Sequence, residues 1–219
     1  MSDHSKIEWT DATWNPIVGC SVLSPGCTNC YAMRLAGTRL ANHPSRAGLT
    51  PASKAGPVWN GEIRFLDDKL AEPMRWRRPR MVFVCAHGDL FHESVPDRWI
   101  DLVFAIMVLA PQHIYQVLTK RSARMHAWAR DRFTEGCRGA IEHRARQLAR
   151  EMNIIIPPGK TLASPNPFPH VWMGVSVEDQ RRANERIDDL LQTPAGIRWI
   201  SAEPLIGPLD LRNIACGFG

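Results

Sequence analysis

Three thiols, Cys20, Cys27 and Cys30, lie in one short stretch, with six residues in the first gap and two in the second. A gap of two lets both sulfurs reach one centre from a single turn, and Pro25-Gly26 supplies the bend that returns Cys20 toward them. Tyr31, Met33, Leu35 and Leu40 start a helical pattern directly after Cys30, and a helix N-terminus favours thiolates. Three soft donors on a loop that opens a helix suit either zinc or an iron–sulfur cluster. Zinc needs a fourth Cys or His, for which His4 and His43 are the local candidates. A four-iron cluster on three cysteines instead leaves one iron open to chelate the amino and carboxylate groups of S-adenosylmethionine, the entry to radical chemistry. Unliganded cysteines are the third reading. Cys85, Cys137 and Cys216 stand singly, and Cys85 reads as a small core residue of a strand.

Such a loop needs a frame, and four stretches rich in β-branched or aromatic residues predict one: Met81 to Ala86, Ile114 to Leu118, Val171 to Val177 and Ile197 to Ile200. Each runs into polar residues: His87-Gly88-Asp89, Thr119-Lys120-Arg121, Ser176 with Glu178, and Ser201 with Glu203. Helical patterns follow the first three, over Asp97 to Leu109 (amphipathic), Ser122 to Arg132 (short and basic) and Asp179 to Leu191, where Ile187, Leu190 and Leu191 are the apolar set. Strand, polar end, helix is the order of a parallel α/β sheet, whose ligands gather at the carboxyl ends of the strands. A closed eight-stranded barrel needs about 250 residues. The expectation is therefore a partial (β/α)6-like TIM-type barrel in one domain over residues 1–219, with an open doubly wound sheet as the rival. Loops are expected at Asn42 to Gly61 and Pro157 to Pro169, and a basic helical insertion at Thr134 to Glu151. Asp97 and Asp179 are expected to cap helices.

The chain has 219 residues, 44% of them hydrophobic and 22% charged, which excludes a disordered tail, a coiled coil and a collagen-like fibre. Its longest apolar run, within Trp99 to Ala110, falls short of the roughly 20 residues of a membrane span, and the first six residues carry no secretory or lipidation motif. A cytoplasmic protein with no membrane partner is the expectation, its cysteines reduced. A net charge of +5 permits an anionic partner. Arg75 to Arg80, Lys120 to Arg132 and Arg138 to Arg150 offer basic stretches for a phosphate backbone, with Trp76 and Trp128 for stacking; solvated helix faces are the alternative.

Several motifs in order carry a resemblance: Trp14-Asn15-Pro16 through Gly19-Cys20, Ser24-Pro25-Gly26-Cys27, Asn29-Cys30-Tyr31-Ala32, Gly88-Asp89-Leu90-Phe91-His92, Val117 to Arg121, Gly174 to Glu178, Ser201 to Leu205 and Gly207-Pro208. From about Ile7 to Leu211 the chain resembles a phage-borne and bacterial three-cysteine-motif family of unknown function, itself similar to a divergent branch of the radical S-adenosylmethionine enzymes. The usual motif of those enzymes has three residues in its first gap and an aromatic just before its last cysteine; here Asn29 holds that place and Tyr31 follows.

The resemblance implies a [4Fe-4S] cluster on Cys20, Cys27 and Cys30 and S-adenosylmethionine held by Tyr31, Arg121, Ser176, Glu178, Ser201 and Glu203. Asp89 and Lys120 are the candidate catalytic groups, with helix capping and layer filling as the structural alternative for each strand-end residue. It further implies a 5′-deoxyadenosyl radical acting on an unidentified substrate, nucleic acid among the candidates. Relatives of this kind continue past Glu203-Pro204-Leu205 into a further strand and helix, so the barrel is expected to lack its last unit and a partner protein to complete its open side. The competing functions are a zinc-binding, nucleic-acid-interacting module without catalysis and a truncated, inactive family member.

Overall fold

The computed structural model describes residues 5, 7–54, 56–133, 139–153 and 167–212. In chain order its elements are β1 (Ala12–Trp14), β2 (Ile17–Val18), α1 (Tyr31–Gly37), β3 (Ala52–Ser53), β4 (Gly56–Pro57), β5 (Arg64–Phe65), α2 (Asp67–Leu70), β6 (Met81–Val84), α3 (Asp97–Leu109), β7 (Ile114–Thr119), α4 (Ser122–Phe133), α5 (Ala140–Glu151), β8 (Val171–Ser176), α6 (Gln180–Gln192) and β9 (Ile197–Ser201). Five strands pair in parallel in the order β1-β6-β7-β8-β9, with helices alongside. The order rises along the chain without reversal, so there is no topological switch point and the doubly wound rival is set aside. Among the described residues β1 and β9 are both sheet edges and no closed barrel forms. The expected TIM-type class thus reduces to an α/β fold with an open, five-stranded parallel sheet.

The four expected strands are present, each shifted at its end by a residue or two. β1 is the strand that hydropathy did not mark, because three residues are too few for a pattern. Its pairing is fixed from outside, by register with Val82 to Val84 and by the Asp11 carboxylate, which accepts from the Met81 amide at 2.7 Å.

Alternation assigns the two faces of the sheet. Val82, Val84, Tyr115, Val117, Val171, Met173 and Val175 join the main core. The residues between them, Phe83, Gln116, Leu118, Gly174 and Trp199, face the other way and are covered in part by the N-terminal segment. Trp9 packs on Phe83 at 4.8 Å and Trp199 at 5.1 Å, and its carbonyl accepts from the Gln116 amide at 3.0 Å. A side chain at Gly174 would overlap the Trp199 indole, so glycine is what lets that ring lie on the sheet.

The helical layer differs from expectation in four places. α3 is buried at every residue from Val103 to Val108 because α5 packs on it, so its apolar surface is not one stripe. α5 itself buries Ile141, Ala145 and Leu148 in the core, so the expected insertion belongs to the layer that covers the sheet. Asp97 is the first helical residue and does not cap; it pairs with Arg124 at 2.9 Å and Arg132 at 3.5 Å. Leu191 is 38% exposed, and the buried face of α6 is Ala183, Arg186, Ile187 and Leu190. Asp179 does cap α6, accepting from the Arg182 amide at 2.8 Å.

Both tryptophans have partners within the chain. Trp128 is buried and donates to Asp101 at 3.0 Å, while Trp76 lies under the Arg80 guanidinium at 5.0 Å and edge-on to His113. The stretch Asn42 to Gly61 is mostly turns, with Leu49 and Trp59 packed beneath it against Val18, Met33 and Ala36. The proline-rich loop lies outside the described residues as far as 166, as do His4, Cys137, Arg138 and Cys216. Among the described residues no helix is long and apolar enough to cross a membrane.

Candidate functional site

Two close backbone approaches set the cysteine loop over the carboxyl end of β6. Gly19 has φ +93 and donates its amide to the His87 carbonyl at 3.1 Å; a Cβ there would overlap the Glu62 carbonyl. The chain then makes a 3₁₀ turn over Pro25–Asn29, in which the Cys27 amide donates to the Ser24 carbonyl at 2.9 Å and the Cys30 amide to the Cys27 carbonyl at 3.1 Å. Cys30 occupies the position before α1, without a side-chain capping bond, and the helix starts at Tyr31 as the sequence predicts. The Tyr31 hydroxyl ties the start of that helix to the Ala86 carbonyl at 2.8 Å.

Cys20, Cys27 and Cys30 line one cavity of about 500 Å³. The strand ends contribute Asp89, Lys120, Arg121, Ser176, Ser201 and Glu203 to the same cavity, and Tyr31 completes its wall. Every expected site residue except Glu178 is therefore brought together on one face.

Asp89 and Arg121 form the hinge between loop and strands. The Asp89 carboxylate accepts from the Thr119 hydroxyl at 2.7 Å, the Phe91 amide at 3.0 Å, the Lys120 amide at 3.3 Å and Arg121 at 3.1 Å. Arg121 also donates to Glu93 at 2.9 Å, to the Ser21 hydroxyl at 2.9 Å and to Cys20 Sγ at 3.6 Å. Burial works against the charge on Arg121, but Asp89, Cys20 and Glu93 outweigh it and hold the guanidinium protonated. The Thr119, Phe91, Lys120 and Arg121 contacts engage both carboxylate oxygens of Asp89 and orient Arg121. Burial, with Asp89 adding to it, pushes the Cys20 thiol up to about 12, Arg121 acting the other way.

Glu178 sits behind the wall. It is 0% exposed and accepts from Arg186 at 2.6 Å, from Lys120 at 3.0 Å and, through a very short contact, from the Ser24 hydroxyl. Burial raises its carboxyl, yet the Ser24, Lys120 and Arg186 interactions prevail and keep it below the ordinary glutamate range. A Cβ on Gly26 would overlap this side chain. Glu178 thus fastens the cysteine loop to the end of β8. Lys120 is spent on the same joint, donating to the Ser176 hydroxyl at 2.6 Å, and Ser176 in turn donates to the Glu203 carbonyl at 2.9 Å.

The sequence pattern missed Arg186, although a signal existed: an arginine on the apolar stripe of a helix, beside Ala183, Ile187 and Leu190, needs a buried partner. Ser21 and His92, joined at 2.8 Å behind Arg121, carried no signal of their own.

Three sulfurs line one cavity and are the donor type that suits a thiophilic centre, with the Cys20 thiol protonated as it stands. Among the described residues no group of three or more His, Cys, Asp or Glu is gathered so as to hold a metal ion. His43 lines a different cavity. A family model described as Protein of unknown function (DUF5131) matches residues 4–217. Among curated proteins and among solved structures nothing matches the chain.

Proposed function

The chain belongs to the family described as Protein of unknown function (DUF5131), and from that premise we propose that it is a radical S-adenosylmethionine-type enzyme of the cytoplasm whose Cys20, Cys27 and Cys30 hold a [4Fe-4S] cluster. One observation carries the proposal: the three thiols and the polar ends of four parallel strands line a single cavity. The sequential strand order supports reading the sheet as part of a (β/α)6-like barrel, whose interior would be the face on which Trp9 packs against Phe83 and Trp199. A partner protein covering the β9 edge, near which Ile197, Leu205 and Ile206 are exposed, belongs to the same proposal.

When bound, the cluster supplies one electron that splits S-adenosylmethionine into methionine and a 5′-deoxyadenosyl radical able to take a hydrogen atom from a substrate C–H bond. The chain's own residues bind and orient. Arg121 places a positive charge 3.6 Å from Cys20 Sγ, which opposes in part the burial that keeps this thiol protonated and would support its thiolate once a cluster bound. Ser201, Glu203 and the Tyr31 ring are the cavity groups left to meet the amino, carboxylate and ribose parts of the cofactor. Ser176, Lys120 and Glu178 position that wall. The substrate is unidentified. The basic face of α4 is engaged with Asp97 and Asp101 of α3, which leaves less of it for a nucleic-acid backbone.

Anaerobic reconstitution tests the proposal: the expected product is brown protein with about four irons per chain, absorbing near ~400 nm. With dithionite and S-adenosylmethionine it should release 5′-deoxyadenosine, and Cys27→Ala should abolish both iron loading and release. Colourless protein with one zinc per chain would instead establish the zinc-module alternative.

A further inference from the structure

A second cavity, of about 1600 Å³, opens beside the edge strand β1. Thr13 and Asn15 line it, and Tyr31 lines both this cavity and the cysteine cavity. Its notable occupant is Arg46, which is 5% exposed. A buried guanidinium is nearly always paired with a carboxylate, because an uncompensated charge is costly to take out of water. Arg46 makes no ion pair among the described residues: one of its terminal nitrogens donates to the Ser45 hydroxyl at 2.6 Å, and its Nε is buried without a partner. Asp67 and Asp68 line the same cavity, but neither reaches it, and Asp68 pairs with Lys69 at 3.1 Å.

Two further donors stand in the same cavity. Arg64 is close enough to act on Arg46 through its charge; it spends Nε on Glu62 at 2.7 Å and one terminal nitrogen on the Pro44 carbonyl at 3.2 Å. His87 is held edge-on to Tyr31 at 6.3 Å, with its backbone amide fixed by Asn15 at 2.8 Å and its Nδ1 buried without a partner. The Arg46 guanidinium, which has no carboxylate partner among the described residues, the Arg64 guanidinium, of which Glu62 takes only Nε, and an unused ring nitrogen are complementary to a doubly charged oxyanion.

We propose that Arg46, Arg64 and His87 form a binding site for the phosphate group of a ligand that occupies this cavity. The cavity is far larger than a phosphate needs, so the anion is one end of a larger molecule. Burial, and then the charge of Arg64, lowers Arg46 to about 10, a cost that a bound anion would remove. Burial, and then Arg46, lowers His87 to about 4, so the imidazole is neutral at physiological pH and offers the anion a single N–H.

The test uses the whole, metal-free chain in phosphate-free buffer. Inorganic phosphate and a nucleoside 5′-monophosphate are titrated by calorimetry and thermal shift, with chloride at matched ionic strength as the control. Saturable binding of both is expected, weakened about 10-fold or more by Arg46→Met and by Arg64→Met, the second variant guarding against a folding defect in the first. Tighter binding of the nucleotide than of phosphate would show that the cavity also holds the organic part; equal binding would show that the phosphate group alone is read. Absence of saturable binding, an effect matched by chloride, or folded variants that bind as well as the parent would overturn the site. Because no iron is present, a failure here leaves the cysteine cavity untouched, and a failure to load iron leaves this site untouched.

Discussion

Glu178 and Arg46 are both buried charges on loops beside the sheet, and they differ in what the chain provides around them. Glu178 receives Arg186, Lys120 and the Ser24 hydroxyl, so its charge is balanced from within and the surplus contacts fasten the cysteine loop to β8. Arg46 receives one hydroxyl and a like charge. A buried charge that the protein compensates serves the architecture, whereas the uncompensated Arg46 carries a desolvation cost that the proposed anion would offset.

The largest effect expected from breaking this contrast is Arg186→Met, which leaves Glu178 with one cation in a buried setting. It should cost about 3–5 kcal/mol in denaturant unfolding. A loss under about 1 kcal/mol would show that Lys120 alone balances the charge and that the two regions are more alike than their geometry suggests.

Acid should dissolve the same joint. Because Glu178 titrates below its ordinary value of 4.5, its contribution is present above that value and is lost as pH falls through the lowered one. Stability measured from neutral pH down to about 3 should therefore drop in that window. Glu178→Gln should be less stable at neutral pH by about 2 kcal/mol and should lose that part of the pH dependence.

Gly26→Ala pushes a methyl group into Glu178 and should cost about 1–3 kcal/mol, while speeding alkylation of the buried Cys27. An alanine variant as stable as the parent, with unchanged Cys27 protection, would show that the loop is not held by that contact.

Arg46→Met should change stability least, within about 1 kcal/mol in phosphate-free buffer, since an apolar isostere replaces an unpaired charge. Added phosphate should stabilise the parent and not the variant. A loss as large as that of Arg186→Met would mean that Arg46 is structural, and the contrast would collapse.

The candidate site was largely legible in the chain because strand-end residues of a parallel sheet share one rim: Asp89, Lys120, Arg121, Ser176, Ser201 and Glu203 lie at or within a few residues of the ends of their strands, and pattern alone places them together. The contacts of Asp89 and Lys120 were not legible, because they include hydrogen-bond partners 30 and 56 residues away. β1 was missed for the same reason, since its pairing with β6 crosses the whole cysteine loop.

Local periodicity and motif order, then, determined the parallel α/β character, four of the five sheet strands, the position of Cys30 at the start of α1 and the rim on which the chemistry sits. Tertiary structure alone decided that, among the described residues, the sheet has two free edges and Arg46 is buried without a carboxylate, and that Glu178 and Arg186 join loop to strand. The physical reason is the range of the interactions: hydropathy repeats act within a few residues, whereas burial and charge compensation are settled only when distant segments have displaced water from one another.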